Sequence, residues 1–155
     1  MRRPLNVMKI RTLQSGDYNP VSNSYGMVRN NHTQAHQGWD LTAAPGTPVY
    51  AIADGEVTVG HSATYGNWVS LKFSYKCKPH YAFYAHLQTA YQGNSSVREG
   101  ALLGFTGRSG NAAGIPQGES HLHFEIRTME HPPLGLTGRM DPGQVLGYEL
   151  YQSYP

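Results

Sequence analysis

Short runs of residues that alternate between apolar and polar restrict the folds open to this chain more than any other feature of its sequence. The clearest run covers residues 67–75, where Val69, Leu71, Phe73 and Tyr75 fall on one face of a strand. The other strand-like runs are 48–53, 56–60, 80–86, 101–106 and 121–127. Apolar and β-branched residues in so many short runs predict that most of the chain forms β-sheet.

Helical patterns are weak by comparison. No window longer than ten residues keeps a 3.6-residue period, and only 87–92 and 141–147 resemble one or two helical turns. The chain has 18 glycines and 10 prolines among its 155 residues, more than the roughly 12% combined that is usual. Asp54-Gly55, between two strand-like runs, is a typical hairpin-turn dipeptide. These features predict a mainly β fold, an antiparallel sheet folded on itself with little helix.

The composition excludes several kinds of protein. Charged residues make up 14% of the chain and the formal net charge is +2, so neither a charge-rich disordered chain nor a nucleic-acid-binding protein is expected. No apolar run approaches the roughly 18–20 residues that span a membrane. The single cysteine, Cys77, excludes an internal disulfide, and the 11 tyrosines suit the binding of polar chains such as sugars or peptides.

The length is that of one domain, and no linker or internal repeat divides the chain. We expect a single domain over 1–155, with an irregular N-terminal segment at 1–23, a core at 24–142 and a C-terminal tail at 143–155. The first residues are basic, but those that follow are too few and too polar for the apolar region of a signal peptide. The expectation is a protein that stays inside the cell, one exported without such a signal by a secretion system or phage lysis, or a trimmed mature domain.

Two segments carry histidines in spacings that suit a metal site. In a strand, His121 and His123 point to the same face, so both imidazoles can reach one metal ion or one substrate. His36 and Asp40 flank Gly38, which argues against a long helix and favours a loop or an extended segment. Two imidazoles and one carboxylate form a zinc ligand set, and a water in the fourth position, with a pKa of about 7, is typical of a catalytic site.

Two further histidines are left beside such a ligand set. His86 and His121 can each serve as general base, as general acid or as the group that stabilises a developing oxyanion.

The motifs resemble, in order, those of the lysostaphin/LytM-type zinc peptidases, which cut peptide bonds in bacterial cell walls. The family pattern H-x-G-x-D is found at 36–40, and the pattern H-x-H at 121–123. Other segments that match the family in the same order are 24–29, 44–49, 53–57, 65–67, 84–87, 98–100, 104–107 and 140–142. The resemblance covers most of the chain and implies the catalytic fold of that family, an antiparallel sheet with an open substrate groove. The segment 108–120, ahead of H-x-H, is longer than is usual in the family.

The resemblance implies a role for each residue of the site. His36, Asp40 and His123 would be the ligands of one Zn²⁺ ion per chain. His86 and His121 would be the paired catalytic histidines, and we favour His121 as the base because it lies beside the ligand His123.

Substrate contacts are expected from three further residues. Tyr65 and Asn67 stand where the loops of the family line the groove. Tyr84 lies two residues before His86, on the same face of a regular strand, and is expected to orient that histidine or to contact substrate.

The function that follows is a zinc-dependent endopeptidase that hydrolyses peptide bonds in peptidoglycan stems or cross-links, in the periplasm or the cell wall. Three alternatives stay open: a non-catalytic groove module that binds wall or activates another hydrolase, a peptidase of glycine-rich proteins, and a purely structural metal site. We also expect a monomer that acts as an injected antibacterial effector, with a small immunity protein that blocks its groove. The sequence does not distinguish which peptide bond is cut.

Overall fold

The computed structural model describes residues 1–12, 20–147 and 150. The expectations for 13–19, 148–149 and 151–155 lie outside these residues. The described residues form strands β1 (Gly26–Arg29), β2 (Gln34–His36), β3 (Trp39–Thr42), β4 (Pro48–Tyr50), β5 (Gly55–Ser62), β6 (Gly66–Tyr75), β7 (Lys78–Leu87), β8 (Ser96–Val97), β9 (Leu102–Phe105), β10 (His121–Arg127) and β11 (Arg139–Met140). They also form helix α1 (Pro142–Leu146) and 3-10 helices at Val21–Asn23, Gly110–Gly114 and Gln117–Glu119.

The main sheet confirms the mainly β fold. Its strands run in the order β11-β10-β7-β6-β5-β8, and β3 pairs with the first half of β10, on the same edge as β11. Two small sheets, β1-β2 and β4-β9, lie beside it, and every pairing is antiparallel. Within the described residues no helix is both long and apolar enough to cross a membrane.

Two local expectations are corrected. The dipeptide Asp54-Gly55 does not join a hairpin, because β4 pairs with β9 whereas β5 pairs with β6 and β8. Of the two helical windows, 141–147 contains α1, whose first turn is capped by the Asp141 carboxylate, but 87–92 forms no helix.

The hydrophobic core includes buried side chains of β3 and β10. Trp39, Leu41, Leu122 and Phe124 are almost fully buried there. Residues 1–12 form no strand, but they close this core: Leu5, Met8 and Ile10 are no more than 4% exposed. Ile10 also forms an isolated antiparallel bridge to Leu41 of β3. Residues 1–12 therefore pack as part of the same core.

A bulge in β7 decides which side chains face the groove. Asn67 pairs with Leu87 while Val69 pairs with Tyr84, so β7 carries one residue more than β6 across this interval. His86 lies at the bulge with a positive φ of 61°. Its N–H donates to the carbonyl of Tyr65 at 2.8 Å. The two-residue alternation is broken here, so His86 and Tyr84 point to opposite faces.

Candidate metal centre and active site

Three side chains bring their ligand atoms together at the end of the main sheet. Oδ1 of Asp40 lies 2.8 Å from Nδ1 of His123 and 3.3 Å from Nε2 of His36. The ligand atoms of all three residues lie within 4.8 Å of one another, and all three side chains are buried. Two imidazole nitrogens and a carboxylate oxygen are the donor set that zinc takes in catalytic sites with an open fourth position.

The pairing of β3 with β10 creates this convergence. Asp40 of β3 and His123 of β10 are direct partners across the antiparallel ladder, so their side chains lie on the same face. His36 ends β2, and the chain bends at Gly38 before it enters β3, which carries Asp40. A Cβ on Gly38 would stand 2.2 Å from the carbonyl oxygen of Phe124. Only glycine fits this position, which explains the glycine of the H-x-G-x-D motif.

The second polar atom of each candidate ligand is held by a fixed partner. Nδ1–H of His36 donates to the carbonyl of Ser24 at 2.7 Å. Oδ2 of Asp40 accepts from Nη2 of Arg29 at 3.0 Å. These bonds orient the two side chains and leave His36 Nε2 and Asp40 Oδ1 directed at the common centre.

His123 is held in the same way by a buried carboxylate. Nε2–H of His123 donates to Oε1 of Glu125 at 2.9 Å, which leaves Nδ1 for the centre. Oε2 of Glu125 accepts from Nε of Arg127 at 2.7 Å and from Nε of Arg139 at 2.8 Å. Glu125 is fully buried, so its charge is balanced entirely by these partners.

His86 and His121 stand beside the three-residue cluster, with ring centroids 5.3 Å apart. Nδ1–H of His86 donates to the carbonyl of Ser109 at 2.8 Å, and Nδ1–H of His121 to the carbonyl of Glu119 at 3.2 Å. In both rings Nε2 is therefore the atom with a free lone pair. His121 Nε2 lies 3.7 Å from Asp40 Oδ1, which places it at the edge of the ligand cluster.

The surroundings of His86 and His121 lower the pKa of both rings. Burial lowers the pKa of His86 to about 4, with the neighbouring His123 and His121 adding to the effect. Burial also lowers the pKa of His121, although Asp40 opposes the shift. Both rings are consequently neutral near pH 7 and able to accept a proton at Nε2.

In the ligand cluster, neighbouring charges and hydrogen bonds outweigh the effect of burial on the pKa values of Asp40 and His123. Burial alone would raise the pKa of Asp40, but the imidazoles of His36 and His121 and the hydrogen bond from His123 hold it well below its usual range. For His123, burial acts to lower the pKa, whereas hydrogen bonds to Asp40 and Glu125 raise it to about 9. A metal ion that binds Nδ1 of His123 therefore displaces a proton from it.

An open cavity of about 470 Å³ lies over these groups. Tyr65 lines it, and its ring stacks on His123 at a centroid distance of 5.9 Å. The long segment 108–120 contributes Asn111 and Ile115. The five candidate ligand and catalytic residues all face this one cavity, which is lined by Arg11, Arg29, Gln34, Ala35, His36, Gln37, Asp40, Thr64, Tyr65, His86, Asn111, Ile115, His121 and His123.

The other two predicted substrate contacts lie elsewhere. Tyr84 is fully buried, its hydroxyl accepts from the N–H of Ile52 at 3.2 Å, and its ring packs on Phe124. This placement contradicts the expectation that Tyr84 orients His86 or contacts substrate, because the bulge at His86 turns the two residues to opposite faces. Asn67 does not line the cavity; its side-chain amide donates to the carbonyls of Leu87 and Gln88, both at 3.4 Å.

Three residues of the site were missed by the sequence reasoning. Glu125 could have been found, because it follows His121 and His123 at the same two-residue spacing in one strand. Arg29 stands in a segment that matched the family, but the match gave no reason to pair it with Asp40. Arg11 had no signal at all, since it lies in a segment without a periodic pattern.

Two imidazoles beside a His-Asp-His cluster in an open groove form an arrangement that suits metal-assisted hydrolysis. A sequence profile of Peptidase family M23 matches residues 34–134, and the chain belongs to this family. The resemblance to the lysostaphin/LytM-type peptidases is thus confirmed.

Curated relatives and solved structures agree with this assignment. The chain is 35% identical over 119 residues to the DD-carboxypeptidase/endopeptidase Mpg of Neisseria meningitidis, covering 74% of this chain and 26% of that protein. It is 30% identical over 139 residues to the peptidoglycan DD-endopeptidase ShyC of Vibrio cholerae, covering 79% and 30%. The chain thus spans about a quarter to a third of the length of these relatives.

The catalytic domain of lysostaphin from Staphylococcus simulans has the same fold, with a TM-score of 0.62 and 26% identity over 80% of this chain and 89% of that domain. The catalytic domain of EnpA from Enterococcus faecalis gives a TM-score of 0.61 and 25% identity, covering 86% and 88%.

Proposed function

We propose that this chain is a zinc-dependent endopeptidase that hydrolyses peptide bonds in the stems or cross-links of bacterial peptidoglycan. The observation that carries the proposal is the convergence of His36, Asp40 and His123 beside the neutral imidazoles of His86 and His121, all in one open cavity. Relatives named as a peptidoglycan DD-endopeptidase and as a DD-carboxypeptidase/endopeptidase support the choice of substrate. The site of action would be the periplasm or the cell wall.

His36 Nε2, Asp40 Oδ1 and His123 Nδ1 would hold the ion. Bound zinc supplies a Lewis acid that polarises the scissile carbonyl and makes water a nucleophile near neutral pH. The chain contributes the orientation of these three atoms, since Ser24, Arg29 and Glu125 hold the opposite side of each ligand.

His86 and His121 would move the protons of the reaction. His121 Nε2 lies at the edge of the ligand cluster, so we assign it as the base that takes a proton from the attacking water. His86 Nε2 faces the same cavity from β7 and would stabilise the developing oxyanion or pass a proton to the leaving amine. Tyr65, on the wall beside His123, is the residue we retain as a substrate contact.

Digestion of purified peptidoglycan tests the proposal. Wild-type protein, the ligand variant His123→Ala and the exposed control His131→Ala would be incubated with sacculi, and the products resolved by mass spectrometry. New free amines at one defined bond, formed by wild type and control but not by His123→Ala, are expected. If zinc-loaded wild type leaves the wall intact, the proposal fails in favour of a non-catalytic groove module or a peptidase of glycine-rich proteins, which a glycine-rich protein substrate then separates.

The antibacterial effector role, the groove-blocking immunity protein and the monomeric state stay predictions. An immunity protein of this kind would have to fill the cavity that holds His86 and His121. Toxicity of the chain when it is directed to the periplasm of a test bacterium, lost in His121→Ala, is the outcome that the effector role requires. Growth unaffected by the wild type would contradict it.

A further inference from the structure

Arg11 is a cavity residue that neither the sequence motifs nor the family match accounts for. It lies outside residues 34–134, which the family profile covers, and comes from the N-terminal segment that runs antiparallel beside β3. It nevertheless lines the same cavity as the candidate ligands. The wall of the active site is therefore partly built by a segment outside the family match.

The backbone of Arg11 is fixed at this wall by two hydrogen bonds. Its N–H donates to the carbonyl of Asp40 at 2.8 Å, and its own carbonyl accepts from Nδ2 of Asn23 at 2.9 Å. Ile10, the residue before it, is fully buried and bridges to Leu41. Arg11 is thus tied to the strand that carries the Asp40 ligand, and its side chain starts from a rigid point.

The guanidinium group is buried but poorly paired. Arg11 is only 8% exposed, and its Nε is buried without a hydrogen bond. The nearest counter-charge is Oε2 of Glu119 at 3.5 Å, a contact that is not aligned as a hydrogen bond. A guanidinium has five N–H donors, and donors buried without a partner cost free energy. Among the described residues none accepts a hydrogen bond from this side chain.

The charges that line the cavity favour an anionic ligand. Among the described lining residues Arg11, Arg29 and Asp40 are ionised, and His123 is also protonated while no metal is bound. Arg29 is committed to Asp40 by a hydrogen bond of 3.0 Å. A cation bound by the ligand cluster would add further positive charge beside Arg11. An incoming carboxylate is the group whose geometry and charge match a guanidinium with free donors.

We propose that Arg11 binds a carboxylate of the peptide substrate and so makes the enzyme selective for acidic peptides over uncharged glycine chains. This inference rests on the proposed function, because it concerns the substrate of the same site. Arg11 acts here as a specificity-determining residue, and Glu119 competes with the substrate carboxylate for it.

Paired substrates test this directly. Muropeptides released from peptidoglycan would be used intact or with their carboxylates converted to amides by carbodiimide coupling to ammonia. Wild type is expected to cleave the intact form with a kcat/KM about 10- to 100-fold higher, the range for a hydrogen bond to a charged group. Arg11→Gln should lose most of that preference, chiefly through a higher KM for the intact form, so that its kcat/KM for the intact form falls toward its kcat/KM for the amidated form.

The variant Glu119→Gln tests whether Arg11 binds substrate or only forms a structural ion pair with Glu119. If Arg11 binds substrate, removing its competitor should lower KM for the intact muropeptide, opposite in sign to Arg11→Gln. Equal losses on both substrates in Arg11→Gln, or the same change in both variants, would overturn the inference. So would a wild type that cleaves intact and amidated forms equally well. A wild type that cleaves neither form would instead refute the proposed function. Measurements of zinc content and thermal unfolding are the control for Arg11→Gln, and values equal to those of the wild type show that the variant is folded.

Discussion

Oε1 of Glu125 lies 2.9 Å from Nε2 of His123, on the side of the imidazole opposite the candidate metal centre. This contact fixes the orientation of the His123 ring and turns Nδ1 toward Asp40, 2.8 Å away. Arg127 and Arg139 in turn hold the other oxygen of Glu125. The sheet therefore orients His123 through a chain of buried charges, with Glu125 at its centre.

Glu125→Gln should weaken zinc binding by about 10- to 100-fold, the usual cost of removing a partner that orients a ligand. Isothermal titration with zinc measures this directly, and kcat should fall with it. Glu130→Gln is the matched control, since Glu130 is exposed and only its backbone carbonyl bonds to Arg127. Equal zinc affinity in both variants would show that Glu125 does not position His123.

Asp40→Asn should have a larger effect on the metal than Glu125→Gln. Asp40 offers the oxygen on which His36, His121 and His123 converge, and the amide has no charge to offer a cation. We expect a loss of zinc affinity of more than about 100-fold, beyond the range for orienting residues. Metal analysis of the purified variant checks this, and a full zinc complement in Asp40→Asn would remove Asp40 from the ligand set.

His86→Ala and His121→Ala should keep the metal and lose the reaction. Neither ring belongs to the three-residue ligand cluster, and proton transfer by a positioned side chain contributes about 10²- to 10⁴-fold. Each variant should therefore bind one zinc per chain while kcat on peptidoglycan falls by that factor. A variant that loses zinc together with activity would identify the residue as a ligand instead.

Gly38→Ala should disturb the site through the backbone. The added Cβ would approach the carbonyl oxygen of Phe124 to 2.2 Å, which forces β3 and β10 apart and separates Asp40 from His123. We expect a loss of roughly 1–3 kcal/mol in the free energy of unfolding, as for other overpacked positions, with weaker zinc binding. Gly118→Ala is the control because nothing lies within 4 Å of its Cβ. Equal thermal unfolding of the two variants would contradict this packing argument.

Local pattern was enough to predict the sheet but not its connections. Strand β10 spans 121–127 as the alternation predicts, because every second residue there packs into the core. The pairing of β4 with β9 could not be read from neighbouring residues, since it joins segments about 50 residues apart. The hairpin expected at Asp54-Gly55 is wrong for that reason.

For the site too, the sequence was enough to predict some residues, whereas others depend on the tertiary structure. The family resemblance implied a ligand set of His36, Asp40 and His123, and these three side chains lie together in the structure. The error at Tyr84 arose because a bulge breaks the alternation, and nothing in the sequence marks the positive φ of His86. Arg11 was missed because its position depends on tertiary contacts of an irregular segment.

The most direct test of the account is a zinc titration of metal-stripped protein in which bound metal and cleavage of peptidoglycan are measured on the same samples. We expect no cleavage before zinc is added and full activity at one zinc per chain. Addition of zinc to Asp40→Asn over the same range should restore neither binding nor cleavage. Cleavage that survives complete removal of metal, or that appears equally in Asp40→Asn, would contradict the claim that His36, Asp40 and His123 hold the ion the reaction needs.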